Sequence, residues 1–176
     1  YNTENMTIGS HQVVGKIGKA LDFDGNDDYV CLENASNDGD FDCESSNSNV
    51  LFDAGDNQTT ISLWYLADNF NNTVQMLFEE GGNTNGINMY IYDSHLYAGA
   101  WSNSEDWSGN WLVTVTTEHT WHNAVFVFND AINTLTLYHD GVKIGDFTST
   151  NVIEHAGNDE SGLGAVVDGT RCTNTS

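Results

Sequence analysis

The chain has 176 residues, 39% of them hydrophobic and 17% charged, with 17 glycines and no proline. Its 26 acidic residues against 4 Lys+Arg give a formal charge of -22, a surface that repels phosphate and so excludes nucleic acid and anionic lipid as natural partners. No apolar run approaches the ~20 residues of a membrane span, so no membrane insertion by this segment is expected, and 11% aromatics supply the core material that disordered chains lack. The sequence opens at Tyr1 without a signal region and reads as a mature chain or an excised piece.

Period-two alternation dominates, and helix-period stripes are hard to find. Thr60–Leu66 and Ala124–Phe128 are apolar on both faces and are expected to be strands covered on both sides. Ile87–Tyr92 and Leu96–Trp101 flank Asp93-Ser94-His95 as a hairpin would. Thr134–Tyr138 and Val142–Ile144 flank Asp140-Gly141 in the same way. Stretches rich in Asn, Asp, Gly and Ser at 24–28, 34–50, 53–59, 81–86, 102–110 and 157–162 separate the strands. Many short strands between turn clusters predict an all-β fold, an antiparallel β-sandwich (jelly roll) of two curved sheets, with residues 1–176 forming a single domain.

Residues 22–44 carry nine acidic side chains. Within them, Asp24-x-Asn26-x-Asp28 and Asp38-x-Asp40-x-Asp42 place oxygen donors at every second position of a turn, the way a loop collects a hard cation. Calcium is therefore the expected cofactor, although neither run has the glycine and distant glutamate of an EF-hand. Turn residues that cap their own backbone would look the same. Cys31 and Cys43 bracket a short acidic loop as a disulfide would in an oxidising compartment, which leaves Cys172 over. Asn5, Asn34, Asn57, Asn71 and Asn174 open N-x-Ser/Thr sequons and are candidate glycosylation sites on a glycoprotein.

Gly15-Lys16-Ile17-Gly18-Lys19-Ala20-Leu21-Asp22-Phe23-Asp24-Gly25, followed by Asp28-Tyr29-Val30, resembles the opening of laminin-G-like domains of the concanavalin A-like lectin/glucanase superfamily. Thr60-Ile61-Ser62-Leu63-Trp64, Trp121-His122 and Leu137-Tyr138-His139-Asp140-Gly141 match three later motifs of that family in order. The resemblance implies a jelly roll and, since members often carry calcium, adds Asn83, Asn85 and Asp168 as loop residues able to supply ligands. It also implies a closing strand after the glycine-rich stretch Gly162-Leu163-Gly164, and none follows before Ser176. An open sheet edge of that kind invites a strand from a neighbouring chain. Trp64 and Trp121 are expected in the core.

Trp101, Trp107 and Trp111 share one polar stretch, with Tyr97 just before it. Flat rings beside amides and carboxylates suit sugars, which stack their C–H faces and direct their hydroxyls. The glucanase Glu-x-Asp-x-x-Glu strand is missing, and Glu79-Glu80 is the only adjacent glutamate pair. His119 and His122 straddle Trp121 on what reads as a strand entry, facing opposite ways in structural roles. No enzyme is expected. The function expected is a non-catalytic, lectin-like domain at the cell surface or outside the cell, working in adhesion or recognition with a glycan or surface protein as partner. The alternative is a structural subunit of a surface filament or sheath, self-associating by strand exchange between copies.

Overall fold

Two tight turns fix the registers of the main sheets. Asp93 and Ser94 take φ of 44° and 60°, and Asp140 and Gly141 take 51° and 77°. Paired left-handed residues make the two-residue turn whose twist suits antiparallel strands. Tyr92 therefore sits opposite His95, and His139 opposite Val142. Both hairpins expected from the sequence form, the first with His95 already in its strand.

The computed structural model describes residues 11–26, 28–32, 58–103, 107–149, 161–166 and 170–173. Strands β1 (Gln12–Val14) and β2 (Lys19–Leu21) make a small ribbon around Gly15–Gly18. β3 is Val30–Cys31, β4 Gln58–Tyr65, β5 Gln75–Gly81, β6 Asn85–Tyr92, β7 His95–Ser102 and β8 Trp107–Val115. β9 (His122–Asn129), a 3-10 turn (Asp130–Ile132), β10 (Thr134–His139), β11 (Val142–Thr148) and β12 (Ser161–Leu163) follow. One sheet runs β11-β10-β9-β4 and the other β3-β12-β5-β6-β7-β8, with every strand pair antiparallel. They stack as the expected β-sandwich.

Alternation selects the core. Ala124, Phe126, Phe128, Leu135 and Leu137 from the smaller sheet meet Phe78, Ile87, Met89, Ile91, Leu96 and Ala98 from the larger, all buried in one cluster. Burying such side chains stabilises by about 1.5–3 kcal/mol each.

One end of this core is polar. The Tyr65 hydroxyl lies 2.7 Å from Thr116 Oγ1 and 2.9 Å from His139 Nε2. His122 contacts Thr117 Oγ1 through Nε2 at 2.9 Å and Asp140 Oδ2 through Nδ1 at 2.7 Å. Burial pushes the Tyr65 hydroxyl up to about 12 and holds the His139 imidazole below its ordinary value. Burial alone would raise Asp140, but the Asn123 N–H and the His122 contact together draw it below the usual carboxylate range. Of the two histidines that straddle Trp121, His122 packs inward while His119 is exposed.

Two expectations fail on the smaller sheet. Trp64 is 42% exposed rather than buried, because alternation turns it outward while Leu63 and Tyr65 turn in, and Lys16 Nζ sits 5.6 Å from its ring centre. β4 is accordingly covered on one face only, with Thr60 and Ser62 also exposed on the other. β9 comes nearer to the two-sided expectation, as Val125 and Val127 are half-buried.

Candidate functional site

The outer face of the larger sheet follows from the same alternation. On β6, Ile87, Met89 and Ile91 enter the core, so Asn88, Tyr90 and Tyr92 face away from it. Their sheet partners on that face include Glu79, Met76, Tyr97 and Gly99. Residues 170–173 return across it. Asn88 Nδ2 donates to Thr170 Oγ1 at 2.8 Å and to the Arg171 carbonyl at 2.7 Å. Asn88 Oδ1 accepts from Trp111 Nε1 at 2.9 Å. The Tyr90 hydroxyl donates to the Thr173 carbonyl at 3.1 Å. One fully buried amide therefore holds both the returning segment and the indole.

Between that segment and β8 lies an open groove of about 920 Å³, bordered by Tyr97, Asn110, Trp111, Val113 and Arg171 among others. Tyr97 stacks on Tyr90 with ring centres 4.9 Å apart and planes at 3°. The Trp111 ring lies against the backbone of Gly99 and Gly109, where an added Cβ would strike it; Gly109 also takes a φ of 105°. Cys172 packs on the Met76–Tyr90–Tyr97 cluster. Burial, with the Glu79 charge, pushes its thiol up to about 11, which keeps it a thiol rather than a nucleophile.

The structure divides the four aromatic candidates. Tyr97 and Trp111 come together at the groove. Trp101 does not: it is fully buried, and its Nε1 donates to the Gly82 carbonyl at 3.0 Å. The expectation that it offers a ring to a ligand is corrected, because its ring packs on Gly86 and has no free face. The backbone of Trp107 belongs to β8, and its side chain lies outside the described residues.

Of the oxygen donors, Asp24, Asn26 and Asp28 share one turn and bind one another. Asp24 Oδ1 accepts from the Asn26 N–H at 2.8 Å, its Oδ2 from Asn26 Nδ2 at 3.0 Å, and Asp28 Oδ2 from the Asp24 N–H at 2.9 Å. Asn83 and Asn85 sit at the β5–β6 connection, where the Asn83 carbonyl accepts from Asn103 Nδ2. Asp38, Asp40, Asp42 and Asp168 lie outside the described residues, as do Cys43, Asn5, Asn34, Asn57 and Asn174. Of Cys31 only the backbone is described. Asn71 is exposed, and its side-chain oxygen accepts from Thr73 and Gln75. Glu79 and Glu80 are both fully buried and, as successive strand residues, point to opposite faces; they cannot flank one bond as a glycosidase pair does.

Sequence reasoning missed Asn88, which carries most of the groove's architecture. The signal was present in a polar residue sharing the alternation of Tyr90 and Tyr92. What it binds, residues 170–171, could not be read locally.

A laminin-G family described as the concanavalin A-like lectin/glucanases superfamily matches residues 24–174. The chain belongs to this superfamily, as its motifs led us to expect. A comparison with curated protein sequences finds no match. Among solved structures, domain 4 of AbnA, an extracellular arabinanase of Geobacillus stearothermophilus in complex with arabinotriose, aligns at a TM-score of 0.60 and 18% identity, over 91% of this chain and 67% of that one. The binding domain of Paraclostridial Mosquitocidal Protein 1 aligns at 0.59 and 17%, over 91% and 38%. The CBM40 of a Ruminococcus gnavus sialidase bound to sialyllactose aligns at 0.52 and 16%, over 64% and 66%. The chain thus spans just under two thirds of that last module's length. At these identities the likeness shows a shared fold. No helix among the described residues is long and apolar enough to cross a membrane.

Proposed function

We propose that the chain is a non-catalytic carbohydrate-binding domain that works outside the cell, in adhesion or recognition, with the Tyr97–Trp111 groove as its site. The observation that carries this reading is the Trp111 indole, lying along an open groove and held in place by Asn88. A ring fixed before the ligand arrives loses little freedom on binding. Asn110 and Arg171 at the border offer amide and guanidinium donors for hydroxyls. The arabinotriose and sialyllactose complexes of two structural neighbours support the choice of ligand class. The net charge of -22 favours neutral over polyanionic glycans through long-range repulsion.

A glycan-array screen followed by calorimetry tests the site. Trp111→Ala is expected to weaken binding by about 10-fold or more, since the stacking surface goes with it. Unchanged affinity in that variant would place binding elsewhere.

Calcium belongs to the same reading, at the Asp24–Asp28 turn, supported by three oxygen-bearing side chains in one loop. Excess calcium is then expected to raise the thermal midpoint by mass action, and EDTA to reverse it. A second reading, self-association by strand exchange, has one observation in its favour: among the described residues β4 is an edge strand eight residues long. Edges of that length are templates for strand addition. A concentration-dependent mass in light scattering, lost when Ser62→Pro removes a backbone donor on β4, would support it.

A further inference from the structure

We propose that His122, His139 and Asp140 form a binding site for a zinc-like transition-metal dication at the polar end of the core. Among the described residues, they are the one group of three His, Cys, Asp or Glu side chains whose donor atoms lie within 4.8 Å of one another. Without an ion, the 2.7 Å contact between His122 Nδ1 and Asp140 Oδ2 is a hydrogen bond in which Nδ1–H donates to the carboxylate; a bound cation would take that proton's place.

The atoms behind this triad are already arranged for an ion. Thr117 Oγ1 meets His122 Nε2 at 2.9 Å, so in the tautomer where Nε2–H donates to Thr117, Nδ1 turns its lone pair toward Asp140. The Tyr65 hydroxyl engages His139 Nε2, which leaves His139 Nδ1 as the donor. The Asn123 N–H holds Asp140 Oδ1 at 2.8 Å and leaves Oδ2 for coordination. Each ligand thus has its other polar atom pinned by a second residue, the arrangement that orients metal-binding imidazoles and carboxylates.

The donor set selects the ion. Two neutral imidazoles and one carboxylate suit zinc and its neighbours, whereas calcium takes oxygen donors almost alone. Tetrahedral zinc with bonds near 2.1 Å brings its ligand atoms to roughly 3.4 Å from one another. The 2.7 Å contact must therefore open by about 0.7 Å, and a separation at the 4.8 Å limit must close by about 1.4 Å. Asp140 can supply that movement, because its side chain is 45% exposed at the turn while the His122 side chain is held at 11%. Three protein ligands leave one coordination position for water on the Asp140 side. On binding, the neutral His122 imidazole exchanges its Nδ1 proton for one on Nε2 through solvent, so the tautomer changes, the Nδ1–H···Asp140 hydrogen bond is replaced by metal–ligand bonds, and no net proton is released.

The test uses the intact chain stripped with EDTA. Zinc is expected to raise the thermal midpoint, and cobalt(II) to give the visible absorption of a tetrahedral N/O site. His139→Gln should abolish both effects. Thr117→Val, on an exposed residue, should weaken zinc affinity by about 10- to 100-fold with the fold intact. His119→Gln, a nearby exposed histidine outside the triad, should leave affinity unchanged. An equal zinc response in His139→Gln, or in Thr117→Val should His139→Gln not fold, overturns the site. So does a wild-type protein without a cobalt band.

Discussion

The outer faces of the two sheets begin from the same alternating pattern and end in opposite environments. On the larger sheet, Asn88 and Tyr90 are fully buried because residues 170–173 lie across them. On the smaller sheet, Asn123 is half-buried and Trp64 is exposed. Residue type does not explain the difference, since each face presents an asparagine and a tryptophan. The distinction is a return of the chain: where it crosses, polar side chains must find protein partners, and a groove forms along the margin of the crossing. A face needs both cover and a gap in the cover to become a site.

The tryptophans give the sharpest way to break this comparison. Trp101→Ala should cost about 3–5 kcal/mol, the range for emptying a buried aromatic site. Trp64→Ala should cost less than about 1 kcal/mol, since it loses mainly an exposed cation contact with Lys16. Denaturant titration of the two variants measures the difference, and similar costs would mean that the outer face of the smaller sheet is covered after all.

The asparagines come next. Asn88→Ala removes three hydrogen bonds and strands the Trp111 N–H, for an expected loss of about 3 kcal/mol. Asn123→Ala gives up the side-chain bond to the Leu63 carbonyl and should cost about 1 kcal/mol. Hydrogen exchange adds an independent measure, as loss of Asn88 should speed exchange in β6 and in 170–173 together.

The smallest effect concerns pH. The Cys172 thiol stands at about 11 in the folded chain against an ordinary 9.0, and burial moves the Tyr90 hydroxyl in the same direction. A group raised on folding stabilises fully below its unfolded value and loses that contribution as pH climbs toward the folded one. Stability should therefore decline between pH 9 and 11, and Cys172→Ala should flatten part of the slope. Alkylation at pH 8 is expected to run about 100-fold slower than for a free thiol, in proportion to thiolate. Rapid labelling would show that residues 170–173 leave the sheet readily.

These contrasts also mark how far the amino-acid order could be read. Period-two alternation and the Asp93-Ser94 and Asp140-Gly141 turns are local, and they lead directly to the hairpins and the stacked sheets. The family motifs are short runs of the same local kind. Trp101 and Trp111 could not be separated in this way, because both sit on strands in one polar stretch and both face outward. Only the position of Gly82 and Gly86 around one, and of Asn88 beside the other, divides them. The triad of His122, His139 and Asp140 was hidden for a related reason, since His139 and Asp140 are neighbours in sequence but only the β9–β10 register brings His122 to them.

The larger sheet carries one further consequence in its strand order. β3 reaches β5 only through β12, with Cys31 opposite Gly162 and Val30 opposite Leu163. During synthesis the meander from β5 to β8 can assemble as it emerges, because each strand pairs with its sequence neighbour. β3, made earlier, must wait for β12 before it has a place to dock. Closure over so long a stretch is the slow kind of contact, so β12 admits the first described strand of this sheet and sets when these six strands are complete.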